Sequence, residues 1–186
     1  MPDLKPLTAL GAAAPRVDII GALTIAETPN VALASLAARK GQGDAVVEVV
    51  KAGLALDLPA AGRSVANTSH RIWWTGPEQW MVEADFTVCE LLAEALKSIV
   101  GATGSVTEQT DGWCRFDVTG DTVVALFERL CAVDVAMMAV GDATRTSMHH
   151  IGCFLIRTDE GVIVIGPRAS AGSLHHALVE IAGAIA

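Results

Sequence analysis

His70-Arg71-Ile72-Trp73-Trp74-Thr75-Gly76-Pro77-Glu78-Gln79-Trp80-Met81-Val82-Glu83-Ala84 is the stretch whose reading decides the fold. Two short apolar and aromatic runs, residues 71–75 and 80–84, flank Gly76-Pro77-Glu78-Gln79, where glycine and proline favour a chain reversal, so a β-hairpin is predicted. Downstream, Val88, Leu91, Leu92, Ala95, Leu96 and Ile99 recur at helical spacing behind Thr87 and Glu90, a capping-box pair. Residues 105–110 and 113–118 then flank Asp111-Gly112, a two-residue hairpin signal, and Asp121 precedes a helical pattern of Val123, Leu126, Phe127 and Leu130. A strand at residues 144–148 closes the series. In order these elements give β-α-β-β-α-β, the ferredoxin-like split βαβ arrangement.

Working outward, strands are expected at residues 151–157 and 162–165, joined by Thr158-Asp159-Glu160-Gly161, with a final helix from Ser170 whose inward face is Leu174, Ala177, Leu178 and Ile181. Towards the N-terminus, Pro2, Pro6, Pro15 and Gly11 interrupt any period, so residues 1–20 read as an extended arm, followed by a strand at 22–26. Thr28-Pro29-Asn30 is expected to open a helix running to Arg39 and closed by Gly41, and a second helix covers residues 44–54. The polar stretch 63–69 is the expected internal boundary. It separates an N-terminal arm and helical segment (1–69) from a ferredoxin-like core with an appended hairpin and helix (70–186), the two packed as one compact unit. The expected class is α+β, with antiparallel sheets packed on helices. No internal repeat is evident in the sequence.

The chain has 186 residues, ample for a core; 52% are hydrophobic and only 18% charged. Few charges are available to cover a free surface, which suggests a buried face, although an alanine-rich chain has the same composition without one. A formal net charge of −8 is the wrong sign for holding nucleic acid or an anionic leaflet. No apolar run approaches the ~20 residues of a membrane span, so no membrane partner is expected. Cys89, Cys114, Cys131 and Cys153 are widely spaced among apolar neighbours and form no ligand pair. They read as core residues of a reducing, cytoplasmic compartment.

Several residues stand out as candidates for contact with a partner. Side chains alternate along a strand, so Trp73 and Trp74 cannot both enter one core; one packs on a ligand, a loop or another chain unless the chain's own helices and arm cover both. Trp80 joins them on the hairpin. Arg145, Ser147 and His149 would share one strand face and could grip an anion, or Arg145 could pair with an acidic neighbour. Arg168 precedes the last helix, where free amides attract anions. His175 and His176 lie in that helix's first turn, one outward and one grazing the core, with no catalytic partner evident. The adjacent His149 and His150 make a poor metal pair, because neighbouring strand residues point apart. Dinucleotide and phosphate loops, the G-x-S-x-G elbow and H-E-x-x-H are all missing from the sequence. Cys153 sits among apolar residues, where a thiolate is disfavoured. An autonomous enzyme is therefore not expected.

Read together, residues 33–42 (LASLAARKGQ), 74–80 (WTGPEQW), 107–113 (TEQTDGW) and 130–134 (LCAVD) resemble the gamma subunit of heterotetrameric sarcosine oxidase. Residues 144–146 (TRT), 149–151 (HHI) and 168–173 (RASAGS) continue the likeness to the C-terminus. The resemblance implies a fold like that of the folate-binding T-protein of the glycine cleavage system. It also implies a complex with alpha, beta and delta chains that oxidises sarcosine to glycine, with hydrogen peroxide and methylenetetrahydrofolate or formaldehyde as the other products. FAD, FMN, NAD, tetrahydrofolate and zinc would then belong to the partner chains, and this chain would carry no catalytic, cofactor or metal residue, contributing packing surface through Trp73, Trp74, Trp80, Arg145, His149 and Arg168. The alternatives are a stand-alone folate-binding one-carbon-transfer protein or an iron-sulfur maintenance relative. The latter carries K-G-C-Y-x-G-Q, whereas Gly152-Cys153 is followed here by Phe154-Leu155-Ile156.

Overall fold

The structure, a computed structural model, describes residues 5–186. Its elements in chain order are β1 (Val17–Ile20), β2 (Leu23–Glu27), β3 (Val31–Ala38), α1 (Gly43–Leu54), β4 (Ser64–Ala66), β5 (His70–Gly76), β6 (Gln79–Asp85) and α2 (Leu92–Val100), then β7 (Gly104–Glu108), β8 (Trp113–Gly120), α3 (Val123–Leu130), β9 (Ala143–Met148), β10 (Ile151–Arg157), β11 (Gly161–Pro167) and α4 (Ala171–Ile185). The class is α+β, with two antiparallel sheets and four α-helices among the described residues.

The chain forms two compact units. The central unit comprises residues 30–110 with 141–143, and the terminal unit comprises the residues up to Pro29 with 111–140 and 144–186. The expected boundary at 69/70 instead falls inside a hairpin, because Ser64, Val65 and Ala66 pair with Trp73, Ile72 and Arg71. The sequence carries no linker at the observed junctions.

In the central unit the strand order is β4-β5-β6-β3-β7. Ala32, Ala34, Leu36, Ile72, Trp80 and Val82 face Val46, Val50, Leu92 and Leu96 of α1 and α2, forming one buried cluster. Each buried valine, leucine or isoleucine among them contributes roughly 1.5–3 kcal/mol relative to exposure. The helix expected from Asn30 to Arg39, on the end signals at Asn30 and Gly41, is instead the strand Val31–Ala38. These residues form a strand because both of its edges are paired and both of its faces are covered, with Ala32, Leu33 and Ala34 buried in succession: Leu36 lies opposite Trp80 on one side and Val106 on the other. Helix propensity of a few tenths of a kcal/mol per residue yields to that pairing.

In the terminal unit the order is β1-β2-β8-β11-β10-β9. Leu23, Ile25, Phe116, Val118, Leu155 and Val164 pack beneath Leu126 and Phe127 of α3 and Leu174 and Leu178 of α4. Gly120 has φ +121°, and a Cβ there would lie 1.9 Å from the carbonyl oxygen of Ala22, so only glycine lets β2 close onto β8.

Both units repeat one plan. In β3-α1-β5-β6-α2-β7 the first strand, β3, lies between the third and fourth, with the second outside the third. In β8-α3-β10-β11-α4 the same positions are filled, but the fourth place, beside β8, is taken by β2 from the N-terminus. The ferredoxin-like order is therefore present twice. The six elements from residue 80 to 148 do not make a single copy, since β6 and β7 lie in one sheet and β8 and β9 in the other.

Two local expectations also change. Asp111-Gly112 lies in a 3-10 turn, Thr110–Gly112, between strands of different sheets rather than at a hairpin tip. The Thr87 hydroxyl and amide both donate to Asp85 Oδ1, at 2.6 and 2.7 Å, so that turn belongs to Asp85 and α2 starts only at Leu92.

Candidate functional site

The three hairpin tryptophans belong to the central unit. Trp73 and Trp74 do point to opposite faces: Trp74 packs, half-buried, on the α1–α2 cluster with Trp80, while Trp73 lies on the other face between Ser64 and Met81. Trp73 is 0% exposed, and Trp80 is buried with its indole Nε1–H donating to the Pro59 carbonyl at 3.0 Å. Neither has surface to offer a partner. The apolar area of both is already used by the chain, and the Trp80 indole has an internal acceptor as well. On the same face as Trp73, Arg71 and Glu83 lie opposite each other with Nε and Oε1 at 3.9 Å, and Glu83 is buried.

The remaining sequence candidates lie in the terminal unit and do not converge. Arg145 on β9 is exposed, with its guanidinium 5.8 Å from the Phe154 ring centre, and Trp113 meets that ring from a centroid distance of 5.7 Å. His149 is not on the strand. It and His150 form the turn between β9 and β10, both exposed and with φ of +48° and +68°, so the face expected for Arg145, Ser147 and His149 ends at Met148. Arg168 is not a free anion ligand, because its Nη2 donates to the Leu7 carbonyl at 2.8 Å and thereby fixes the N-terminal arm. Ser170, the residue before α4, makes no side-chain cap bond.

One cluster was not legible in the sequence. His175 is buried, and its Nε2 lies 2.7 Å from Oδ2 of Asp18, 157 residues earlier in the chain. Arg16 Nε and Nη2 hold the same carboxylate at 3.0 Å. The Arg16 guanidinium, and secondarily the His175 hydrogen bond, hold the Asp18 carboxyl below its usual range against the opposing effect of burial. Beside this chain of contacts lies an open pocket of about 380 Å³ lined by Leu10, Arg16, Gly172, His175, His176 and Val179. An Asp–His pair can orient a general base, but that chemistry needs a nucleophile or a bound water at the second imidazole nitrogen, and the pocket lining offers no hydroxyl or thiol. Here the pair ties β1 to α4. No signal links residues 18 and 175 in sequence; only the placement of β1 at the sheet edge does so.

A buried carboxylate, that of Glu27, reinforces the arm. Glu27 Oε1 accepts the Leu10 amide at 2.9 Å and Oε2 accepts the Arg16 amide at 3.2 Å. The thiols of Cys114 and Cys153 are pushed up by burial to about 11 and about 12, which removes both as nucleophiles near neutrality. Among the described residues, no group of three or more His, Cys, Asp or Glu is placed to hold a metal ion. Nor is any helix long and apolar enough to cross a membrane.

The chain is similar to a chain of the heterotetrameric sarcosine oxidase from Corynebacterium sp. U-96, solved in complex with pyrrole 2-carboxylate, with a TM-score of 0.76, 21% identity, 89% of this chain and 86% of that chain covered. It has the fold of that chain. It is also similar to the glycine cleavage system aminomethyltransferase T from Bartonella henselae, with a TM-score of 0.60 and 14% identity over 82% of this chain. Only 44% of the aminomethyltransferase is covered, so the chain spans less than half of it. No protein-family model and no curated protein matches the sequence.

Proposed function

We propose that the chain is the gamma-type accessory subunit of a sarcosine-oxidising complex, in which partner alpha, beta and delta chains carry FAD, FMN, NAD, tetrahydrofolate and zinc. The observation that carries this reading is two-way coverage: the fold matches nearly all of this chain and nearly all of one chain of a heterotetrameric oxidase. The interior supports it. Both core thiols are raised by burial, the Asp18–His175 pair is engaged in holding β1, and the candidate polar residues are dispersed. A packing role requires none of these groups to react.

The test is purification of the tagged chain from its native source, followed by size-exclusion chromatography with a flavin absorbance scan. Co-elution with larger, yellow chains that oxidise sarcosine is the expected result. A colourless protein that eludes such partners and binds tetrahydrofolate by itself would move the function to one-carbon transfer. The aminomethyltransferase likeness keeps that second reading in view, though it covers less than half of that enzyme.

A further inference from the structure

The four outer strands of the two sheets are not equally protected. β4 is three residues long, β7 presents Ser105, Thr107 and Glu108, and β9 presents Arg145 and Ser147. Short or polar and charged strands of this kind discourage further pairing. β1 differs, because Val17 and Ile19 on one of its faces are 56% and 76% exposed.

The backbone of β1 is open at the same two residues. The Arg16 carbonyl accepts the Glu27 amide at 2.8 Å, which directs Arg16 towards β2. Antiparallel pairing alternates, so Asp18 and Ile20 also turn their amides and carbonyls to β2, opposite Ile25 and Leu23. Val17 and Ile19 turn theirs outward, and no strand among the described residues lies beyond β1. The edge is also rigid. Ile20 packs on the core, and Asp18 is held by Arg16 and His175.

We infer that β1 is a docking edge to which a different polypeptide adds an antiparallel strand, laying apolar side chains at alternate positions over Val17 and Ile19. A second copy of this chain is the poorer occupant in each two-fold register. Pairing centred on Val17 sets Ile19 against Pro15, which has no amide to donate. Centring on Asp18 places two carboxylates directly opposite each other, and centring on Ile19 sets Val17 against Gly21, in the turn that ends the strand. Two copies at net charge −8 also repel. Strand addition by a foreign chain incurs none of these defects.

The inference rests on the accessory-subunit reading, and its test separates the two. The chain is co-expressed with the flavin-carrying chains of its oxidase, as wild type, Ile19→Pro and Ile19→Lys. Proline at position 19 deletes only an outward amide, and lysine places a charge where the partner's apolar residue would lie. Both should weaken assembly at least tenfold while leaving thermal unfolding of the isolated chain close to wild type. In the wild-type complex, hydrogen exchange should slow at the Val17 and Ile19 amides, which in the free chain exchange faster than those of Asp18 and Ile20. Wild-type assembly without added protection at Val17 and Ile19 would overturn the docking edge and leave the accessory reading standing. Failure of the wild-type chain to join the flavin-carrying chains would overturn both. A free chain that dimerises, with the dimer lost in Ile19→Pro, would assign the edge to a second copy.

Discussion

The central and terminal units build the same split βαβ plan by different means. The central unit takes all of its strands from one continuous run of chain and closes with apolar contacts: Trp80, Leu36, Val82 and the facing residues of α1 and α2. In the terminal unit the place beside β8 is filled by β2, with β1 outside it, from the N-terminal part of the chain. Recruitment over so long a loop costs closure entropy, and the burial of Leu23 and Ile25 that offsets it is joined by polar ties. Glu27 binds the amides of Leu10 and Arg16, Asp18 binds His175, and Arg168 binds Leu7. The difference teaches that one topology can be specified by a contiguous hydrophobic pattern or completed by a tethered arm. The two should fail differently when perturbed.

The largest effect is expected in the central unit. Trp80→Ala removes a buried indole and its hydrogen bond to Pro59, for a loss of roughly 3–5 kcal/mol in chemical denaturation. Alkylation should distinguish the units, because Cys89 reports on the central core and Cys114 and Cys153 are buried in the terminal one. In Trp80→Ala, Cys89 should be modified faster in native buffer while Cys114 and Cys153 keep their wild-type rates. Equal acceleration at all three would mean that the units unfold together and that the contrast drawn above is only architectural.

An intermediate effect is expected where the arm is tied down. Glu27→Ala leaves the Leu10 and Arg16 amides without their acceptor, at a cost of roughly 1–3 kcal/mol. The acceleration should move to the other unit, with Cys114 on β8, the strand that pairs with β2, modified faster than in wild type while Cys89 keeps its wild-type rate. Wild-type protection of Cys114 would show that β2 stays on β8 without the Glu27 ties.

How much of this was legible follows the same division. The hairpin 70–85, α1 and the run from β9 to α4 were readable, because their hydrophobic period matches their local geometry. β3 is hidden behind the helix-end signals at Asn30 and Gly41, because the pairing that makes it a strand comes from two neighbours that lie some forty and seventy residues further along the chain. The repeat itself left no trace in sequence. It resides in strand order, and one copy is completed by residues from the opposite terminus. Of the site candidates, Trp74 and Arg145 keep surface; Trp73 and Trp80 are core, and Arg168 is an arm tie. The Asp18–His175 pair was beyond reach, since its partners are 157 residues apart and each alone is an ordinary surface-type residue.

The smallest expected effect probes that pair and isolates the arm from the core by pH. Asp18 is held below its usual range first by Arg16 and then by His175, so its folded-state carboxyl releases its proton more readily than in the unfolded chain, where it titrates near pH ~3.9. For a depressed acid, the stabilisation is complete above the unfolded-state value and is lost as pH falls through the folded-state value. Because the carboxylate is partly exposed and Arg16 more so, the contribution is that of a solvent-screened tie, on the order of 1 kcal/mol or less. Asp18→Asn should therefore be slightly less stable than wild type from pH 5 to 7, and the two denaturation curves should converge as pH drops below 4. The core contacts that hold the central unit contain no such proton, so a gap between Trp80→Ala and wild type should persist over the same range. If the Asp18→Asn deficit stayed constant down to pH 3, the carboxylate's charge would not be what binds β1 to α4, and the tie would have to be assigned to packing around His175 instead.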